Sequence, residues 1–210
     1  MLINKITYKI LSKNLIHIGN KKKNRSIHAN NFIYISKTLD IIDTNYTLKQ
    51  LSKIIPIFIN IIAQKGQIYT ISPNLKNKDY GINLSKKYKQ NFFCDSWPTG
   101  LITNYKTIKK SSKLVKKQIP SAIFLLNYPK TNYLELEILK IGILTSQILD
   151  THTQINQTMY PIPGNTKAIQ TMLFCIEIIK ETTILAYTKE QIILLKKNFP
   201  RLDSNQWPRT

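Results

Sequence analysis

The sequence is short of negative charge. It sets 11 Asp plus Glu against 31 Lys plus Arg, so its 210 residues carry a formal net charge of +20. A chain so unbalanced repels itself when it folds alone and draws polyanions from a distance. Nucleic acid is the usual partner for that imbalance, with an anionic membrane surface second. Arginine is scarce as well. Arg25, Arg201 and Arg209 are the only ones, and lysine supplies the rest of the positive charge.

Other shortages exclude whole classes of chemistry. Cys94 and Cys175 stand alone and far apart. They read as reduced, buried thiols and not as a disulfide framework. No C-x-x-C motif and no histidine pair at ligand spacing is present, so no metal site is expected. The six glycines are Gly19, Gly66, Gly81, Gly100, Gly142 and Gly164. No two of them lie close enough for a G-x-G-x-x-G turn or a Walker loop, so the backbone cradle for a nucleotide phosphate is missing. The histidines are His17, His28 and His152, and no G-x-S-x-G accompanies them. Asp150 lies near His152, but at a spacing any loop produces. Asp40 and Asp43 read as turn and cap chemistry. No catalytic constellation and no cofactor follow from these residues.

Long apolar runs are also lacking. The most apolar stretch, Ile54 to Ile62, contains Pro56 and Asn60 and is too short for a bilayer, which takes about 20 residues. Lysines punctuate the opening MLINKITYKILSKNLIHIG, so it does not read as a secretory signal. Its lack of arginine argues against a transit peptide, as expected of a protein made inside its own compartment.

What is present is a foldable chain. At 42% hydrophobic it is not a disordered polymer, and its length suits one large domain or one domain with arms. Ile, Asn and Lys are in excess, the coding bias of an AT-rich genome, common in organelles and some bacterial parasites. Apolar spacing predicts a helix over 3–16, followed by an exposed basic loop over 19–31. Phe32 to Ile35 reads as a strand. Thr47-Leu48-Lys49-Gln50 fits a capping box, followed by Leu48, Leu51, Ile55, Phe58 and Ile62 at helical spacing, with Pro56 as a kink and Gly66 as the stop. Strands are expected at 67–72, 92–94, 122–127 and 143–149. Helices are expected at 75–89, 104–118, 134–141 and 166–187, with a further one at 189–197. Strands alternating with helices imply a mostly parallel α/β sheet covered on both faces. Residues 1–198 are expected to form one domain, with an N-terminal helix and basic loop over 1–31. Residues 199–210 read as a tail.

Two segments carry more information. In Trp97-Pro98-Thr99-Gly100-Leu101-Ile102-Thr103-Asn104-Tyr105-Lys106-Thr107-Ile108, Thr103 or Asn104 can cap a helix. That helix places Tyr105, Ile108, Ser112 and Val115 on one face. Lys106, Lys109, Lys110, Lys113, Lys116 and Lys117 dominate the rest, a poor isolated helix and a good phosphate clamp. In Tyr160-Pro161-Ile162-Pro163-Gly164-Asn165, the prolines stiffen an extended approach. Gly164 then allows a tight turn, and Asn165 or Thr166 can cap the long helix. The plain reading of this segment is a strand-to-helix loop.

These segments resemble the ribosomal protein S-two family. Leu101 to Ile108, with Trp97 and Gly100 before it, is similar to that family's Leu-Thr-Asn-Phe-Lys-Thr-Ile segment. Tyr160 to Asn165 matches its Tyr-Pro-Ile-Pro-Gly-Asn without change. Asp150-Thr151, His17-Ile18-Gly19 and Ile41-Ile42-Asp43 match shorter family motifs, all in the family's order. The stretch Arg25-Ser26-Ile27-His28-Ala29 departs from the family's Trp-Asn-Pro. The family's long coiled-coil hairpin before the next strand is lost or reduced, since Lys117-Gln118-Ile119-Pro120 runs almost directly into that strand. The resemblance implies a flavodoxin-like or Rossmann-like α/β core. It also implies a structural role in the small ribosomal subunit, supporting assembly and translation. The implied partners are small-subunit ribosomal RNA and neighbouring ribosomal proteins, with no membrane and no homo-oligomer. The inferred RNA contacts are Lys21, Lys22, Lys23 and Arg25 together with the Lys106 to Lys117 face. The coding bias points to a mitochondrial ribosome before a plastid or an AT-rich bacterium. The rival reading is a vestigial α/β enzyme that binds an anionic cofactor. A peripheral membrane protein anchored by its first residues is a third.

Overall fold

The structure is a computed structural model. It describes residues 6–21, 25–34, 38–72, 79, 81–83, 87, 90–93, 97, 99–104, 119–126, 132–153 and 158–198. The expected helices at 75–89 and 104–118, including Lys106, Lys109, Lys110, Lys113, Lys116 and Lys117, lie almost wholly outside these residues. So do Lys22, Lys23, Cys94, the site of the reduced hairpin and the tail.

The described elements run in the order α1 (Tyr8–Lys13), β1 (Ile18–Lys21), a 3-10 helix (Ile27–Phe32), β2 (Ile33–Tyr34), β3 (Leu39–Ile42), α2 (Thr44–Ala63), β4 (Ile68–Ile71), β5 (Asn91–Phe93), β6 (Ala122–Leu125), α3 (Asn132–Ile141), β7 (Leu144–Leu149), β8 (Tyr160–Pro163) and α4 (Ile169–Asn198). Strands β4 to β8 form a parallel five-stranded sheet in the order β5-β4-β6-β7-β8. Counted within that sheet, this is the 2-1-3-4-5 order of a flavodoxin-like fold.

Alternate side chains of the central strands separate the two covered faces, as the pleat requires. Ile68, Ala122, Phe124 and Leu126 join Ile148 and Ile162 under α1, α2 and α4. Tyr69, Ile71, Ile123 and Leu125 join Leu134 and Ile138 of α3 on the opposite face. Strands β4 and β6 are buried along their whole length, which explains why Ala122 to Leu126 is continuously apolar. Cys175 is one of the side chains under α4, and burial pushes its thiol well above the ordinary range. It is an inert packing residue.

Several expectations change in detail. Helix α2 begins at Thr44, not at Thr47. Asp43 caps it by accepting the Asn45 N–H at 2.8 Å. At the other end Lys65, not glycine, takes the left-handed conformation, with φ 63°. Gly66 serves close approach instead, because a Cβ there would lie 2.9 Å from the Ile61 carbonyl oxygen. The long C-terminal helix is one helix, Ile169–Asn198, rather than two. The expected basic loop over 19–31 contains β1 and the 3-10 helix. With β2 and β3, β1 builds a separate antiparallel sheet in the order β1-β3-β2.

The largest correction concerns Tyr160 to Pro163. This segment is a strand at the edge of the parallel sheet, paired with β7. Two prolines suit that place. The Gly164 N–H donates inward to the Leu149 carbonyl at 2.9 Å, so alternate residues face β7. Pro161 and Pro163 have the opposite parity and present their donor-free nitrogens to the open side, where an edge strand loses no ladder bond. The outward Pro163 carbonyl is taken by the Thr47 hydroxyl of α2 at 2.8 Å.

Candidate nucleic-acid interface

Three segments far apart in the chain meet at the C-terminal end of β7. The antiparallel sheet turns one face toward this end. There Gly19 of β1 lies so close to its neighbours that a Cβ would fall 2.5 Å from Thr151 Cγ2 and 2.8 Å from the Asp40 carbonyl oxygen. The Asn20 N–H donates to Thr151 Oγ1 at 3.1 Å, and the Ser26 N–H donates to the Thr151 carbonyl at 2.8 Å. The Ser26 hydroxyl donates to the Thr153 carbonyl at 3.0 Å. Asp150 is buried. Its Oδ1 accepts the Thr151 N–H at 2.6 Å, and its Oδ2 accepts the Thr166 hydroxyl at 3.2 Å. Both oxygens of this carboxylate therefore serve the join between β7 and the approach to α4. The third segment enters through Gly164, where a Cβ would come within 3.2 Å of Ile148 and 3.4 Å of Ile16. This glycine is fixed by packing against two side chains and not by a left-handed turn. Asn165 Oδ1 then accepts the N–H groups of Lys167 at 2.9 Å and Ala168 at 3.2 Å, which makes it the cap of the turn leading into α4.

His17 belongs to the same junction. Its carbonyl accepts the Ile42 N–H at 2.8 Å, and its buried Nδ1 has no hydrogen-bond partner among the described residues. Above it a polar chain runs along the surface. Lys167 Nζ donates to Asn20 Oδ1 at 2.6 Å, and the Asn20 amide nitrogen lies 2.5 Å from His152 Nδ1.

Arg25, expected to meet phosphate, is committed to an internal partner. Its Nε donates to Asp40 Oδ2 at 3.1 Å, and Nη2 pairs with the other oxygen of the same fully buried carboxylate. That hydrogen bond, opposed in part by burial and helped by the opposite charge, raises the guanidinium above its ordinary range. A bidentate fork of this kind offsets the cost of burying Asp40. Nothing in the sequence pattern links Arg25 to Asp40, because the register of β1 on β3 that brings the loop over the strand is not visible in it. Lys21, by contrast, is exposed at the end of β1.

The Trp97 segment sits on the other face of the sheet. Trp97 is buried and packs edge-on to Phe93, ring centres 5.4 Å apart, and Phe93 in turn meets Tyr69 at 5.1 Å. Gly100 has φ 83°, a conformation that favours glycine. Buried Glu137 of α3 accepts the N–H of Gly100 at 2.5 Å and that of Ile102 at 3.0 Å. The sequence reading missed Glu137, since it resembles any surface residue of a short helix. Only its position on the buried face with Leu134 and Ile138 distinguishes it. Thr103 and Asn104 are exposed, and the Asn104 N–H donates to the Gly100 carbonyl at 2.7 Å.

Comparison with known proteins gives this junction its meaning. The model of the family described as Ribosomal protein S2 matches residues 11–119 and 115–186. The chain belongs to the ribosomal protein S2 family. It is 26% identical over 150 residues to the small ribosomal subunit protein uS2m of Acanthamoeba castellanii, an alignment covering 69% of this chain and 47% of that protein. It is 21% identical to uS2 of Azorhizobium caulinodans, over 76% of this chain and 60% of the relative. With uS2 of Borrelia recurrentis the identity is 21%, over 94% of this chain and 93% of the relative. The chain thus spans about half of the first of these relatives and nearly all of the last. The family motifs read from the sequence fall at two joins. Gly19 and Thr151, with Asp150 beside them, hold the N-terminal sheet to the core, while Tyr160 to Asn165 form the edge strand and cap the turn into α4. Trp97 and Gly100 lock the segment that leads into the lysine-rich stretch.

Among the described residues no cluster of three or more His, Cys, Asp and Glu could hold a metal, and no helix is long and apolar enough to cross a membrane.

Proposed function

We propose that the chain is a structural component of the small ribosomal subunit, binding its RNA and neighbouring ribosomal proteins and supporting assembly and translation. The observation that carries this reading is the junction itself. Among the described residues, the motif residues Gly19, Thr151, Gly164, Trp97 and Gly100 are spent on joining elements, and the buried carboxylate of Asp150 is engaged by Thr151 and Thr166, with His152 Nδ1 3.7 Å from Oδ2. The protein acts as a scaffold, not as an enzyme. Its sheet has the order of a nucleotide-binding fold, but the chain leaves β4 through Ser72, Pro73 and Asn74, without the glycines a phosphate cradle needs. Residues 1–198 form the α/β unit and 199–210 a tail. The protein acts without a membrane and without a second copy of itself. A mitochondrial ribosome is the favoured setting. Its support is the Ile, Asn and Lys bias and the Acanthamoeba relative, while bacterial relatives stand at 20–22% identity.

Lys21, Lys22 and Lys23 and the Lys106 to Lys117 stretch supply the phosphate contacts, which position the protein without reading sequence. Double-stranded RNA, with its accessible backbone and shallow minor groove, is a fitting target for them. Arg25 holds Asp40 first. If about six phosphates are neutralised, the log–log dependence of RNA affinity on salt has a slope of about −4 to −5. A titration of small-subunit RNA from low to moderate salt reads it directly, and a flat dependence contradicts the proposal.

A further inference from the structure

The outer face of the antiparallel sheet takes no part in the junction. Strand β3 alternates cleanly: Asp40 and Ile42 point inward and are buried, while Leu39 and Ile41 point outward and are 43% and 44% exposed. Ile41 pairs with Ile18 on one side and Tyr34 on the other, so the three side chains form one row across the sheet. Leu39 pairs with Lys21, which places that lysine on the same face, two residues along β3. Tyr34 is 57% exposed. The result is an open aromatic and aliphatic platform with a cation at one corner. Among the described residues the face carries no carboxylate, because Asp40 is turned inward onto Arg25 and Asp43 caps α2.

We propose that this face seats single-stranded RNA, with an unpaired base stacked on Tyr34 over the Ile41 row and the strand's phosphate backbone reaching Lys21. The assignment rests on the small-subunit role proposed above and names a contact within it. An exposed aromatic ring accepts a base face of any identity, and a lysine beside it takes the phosphate that follows. Crossing two strand spacings and two residues separates Tyr34 from Lys21 by about 12 Å, within reach of a short run of extended strand. Charge decides between RNA and a protein partner. Among the described residues the one ionised side chain in the register of the platform is positive, on a chain of net charge +20. A duplex cannot use the platform, because its bases are stacked inside the helix.

The test uses the full chain and fluorescence anisotropy with two probes, a labelled oligouridine of about 12 nucleotides and an RNA duplex of the same length. Tyr34→Ala weakens oligouridine binding about tenfold, the scale of one lost base stack. Tyr34→Phe keeps wild-type affinity, and duplex binding and thermal melting stay unchanged in both variants. Lys21→Ala makes the oligouridine salt slope shallower by about 0.7, one phosphate's worth. If the Tyr34→Ala protein binds oligouridine like wild type, the proposal is overturned. Should that same variant also fail to enter small subunits, the platform belongs to a protein partner. If the wild-type chain binds neither probe, this inference and the proposed RNA contacts fall together. A wild-type chain that enters subunits while Tyr34→Ala changes nothing overturns this inference alone.

Discussion

Gly19 and Gly164 both sit where the N-terminal segment meets the parallel sheet, yet they would answer a methyl group differently. At Gly19 a Cβ meets a side-chain methyl at 2.5 Å and a backbone carbonyl at 2.8 Å. The carbonyl belongs to Asp40, which is held by strand pairing and by Arg25, so it cannot yield cheaply. At Gly164 the nearest atoms are side-chain methyls at 3.2 Å and 3.4 Å, which can shift by a few tenths of an ångström. Gly19→Ala is therefore expected to cost about 1–3 kcal/mol, and Gly164→Ala clearly less, within the usual range for overpacking. Gly164→Val, with two further methyls, is expected to fall between them or above. Urea denaturation of the three variants gives the order. Equal stability of Gly19→Ala and wild type would show that β1 does not dock on Thr151 as described.

Strand β8 carries the clearest lesson at the scale of elements. Its alternating prolines leave the open edge of the sheet without the donors another strand would need. Pro161→Val restores one outward N–H. The variant is expected to melt near wild type but to aggregate faster with rising concentration, as light scattering would register. No increase in scattering would mean that α2, through Thr47, already closes the edge. The same strand shows where sequence reading stops. Two prolines in four residues read locally as a stiff loop, and only the register with Ser146 to Leu149 turns them into an edge strand. The buried strand β6 was legible because both its faces are covered and a continuous apolar run follows, while β4 and β7 mix polar residues among β-branched and apolar ones. The position of α2 was legible because one face of it is apolar, and that of α4 because Gly164 and the capping residues Asn165 and Thr166 mark its start. The start of α2 was not, since Asp43 and Thr47 both have capping chemistry, and Thr47 is used across space on Pro163. The antiparallel sheet was hidden because β2 has two residues and β1 four, too few for a period to show.

At the scale of the whole molecule, the junction and the charge point the same way. Family motif residues supply joins, and the chain's excess of lysine over carboxylate suits a polyanion. Of the candidate site, the motif residues could be read from the sequence because they match in identity and order. What each does could not, since Gly19 and Thr151 are 132 residues apart and only the fold places them in contact. Arg25 shows the converse: charge alone grouped it with Lys21, Lys22 and Lys23, and the structure pairs it with Asp40. The central claim, membership of a small ribosomal subunit, is tested most directly by sedimentation. Ribosomes from cells that make the protein are separated on a sucrose gradient at low and moderate salt, and each fraction is probed for its peptides by mass spectrometry. The account predicts that the chain travels with the small subunit and with whole ribosomes, and is released as salt rises through the range where lysine–phosphate contacts weaken. A chain found at the top of the gradient at every salt concentration, free of small-subunit RNA, would contradict it.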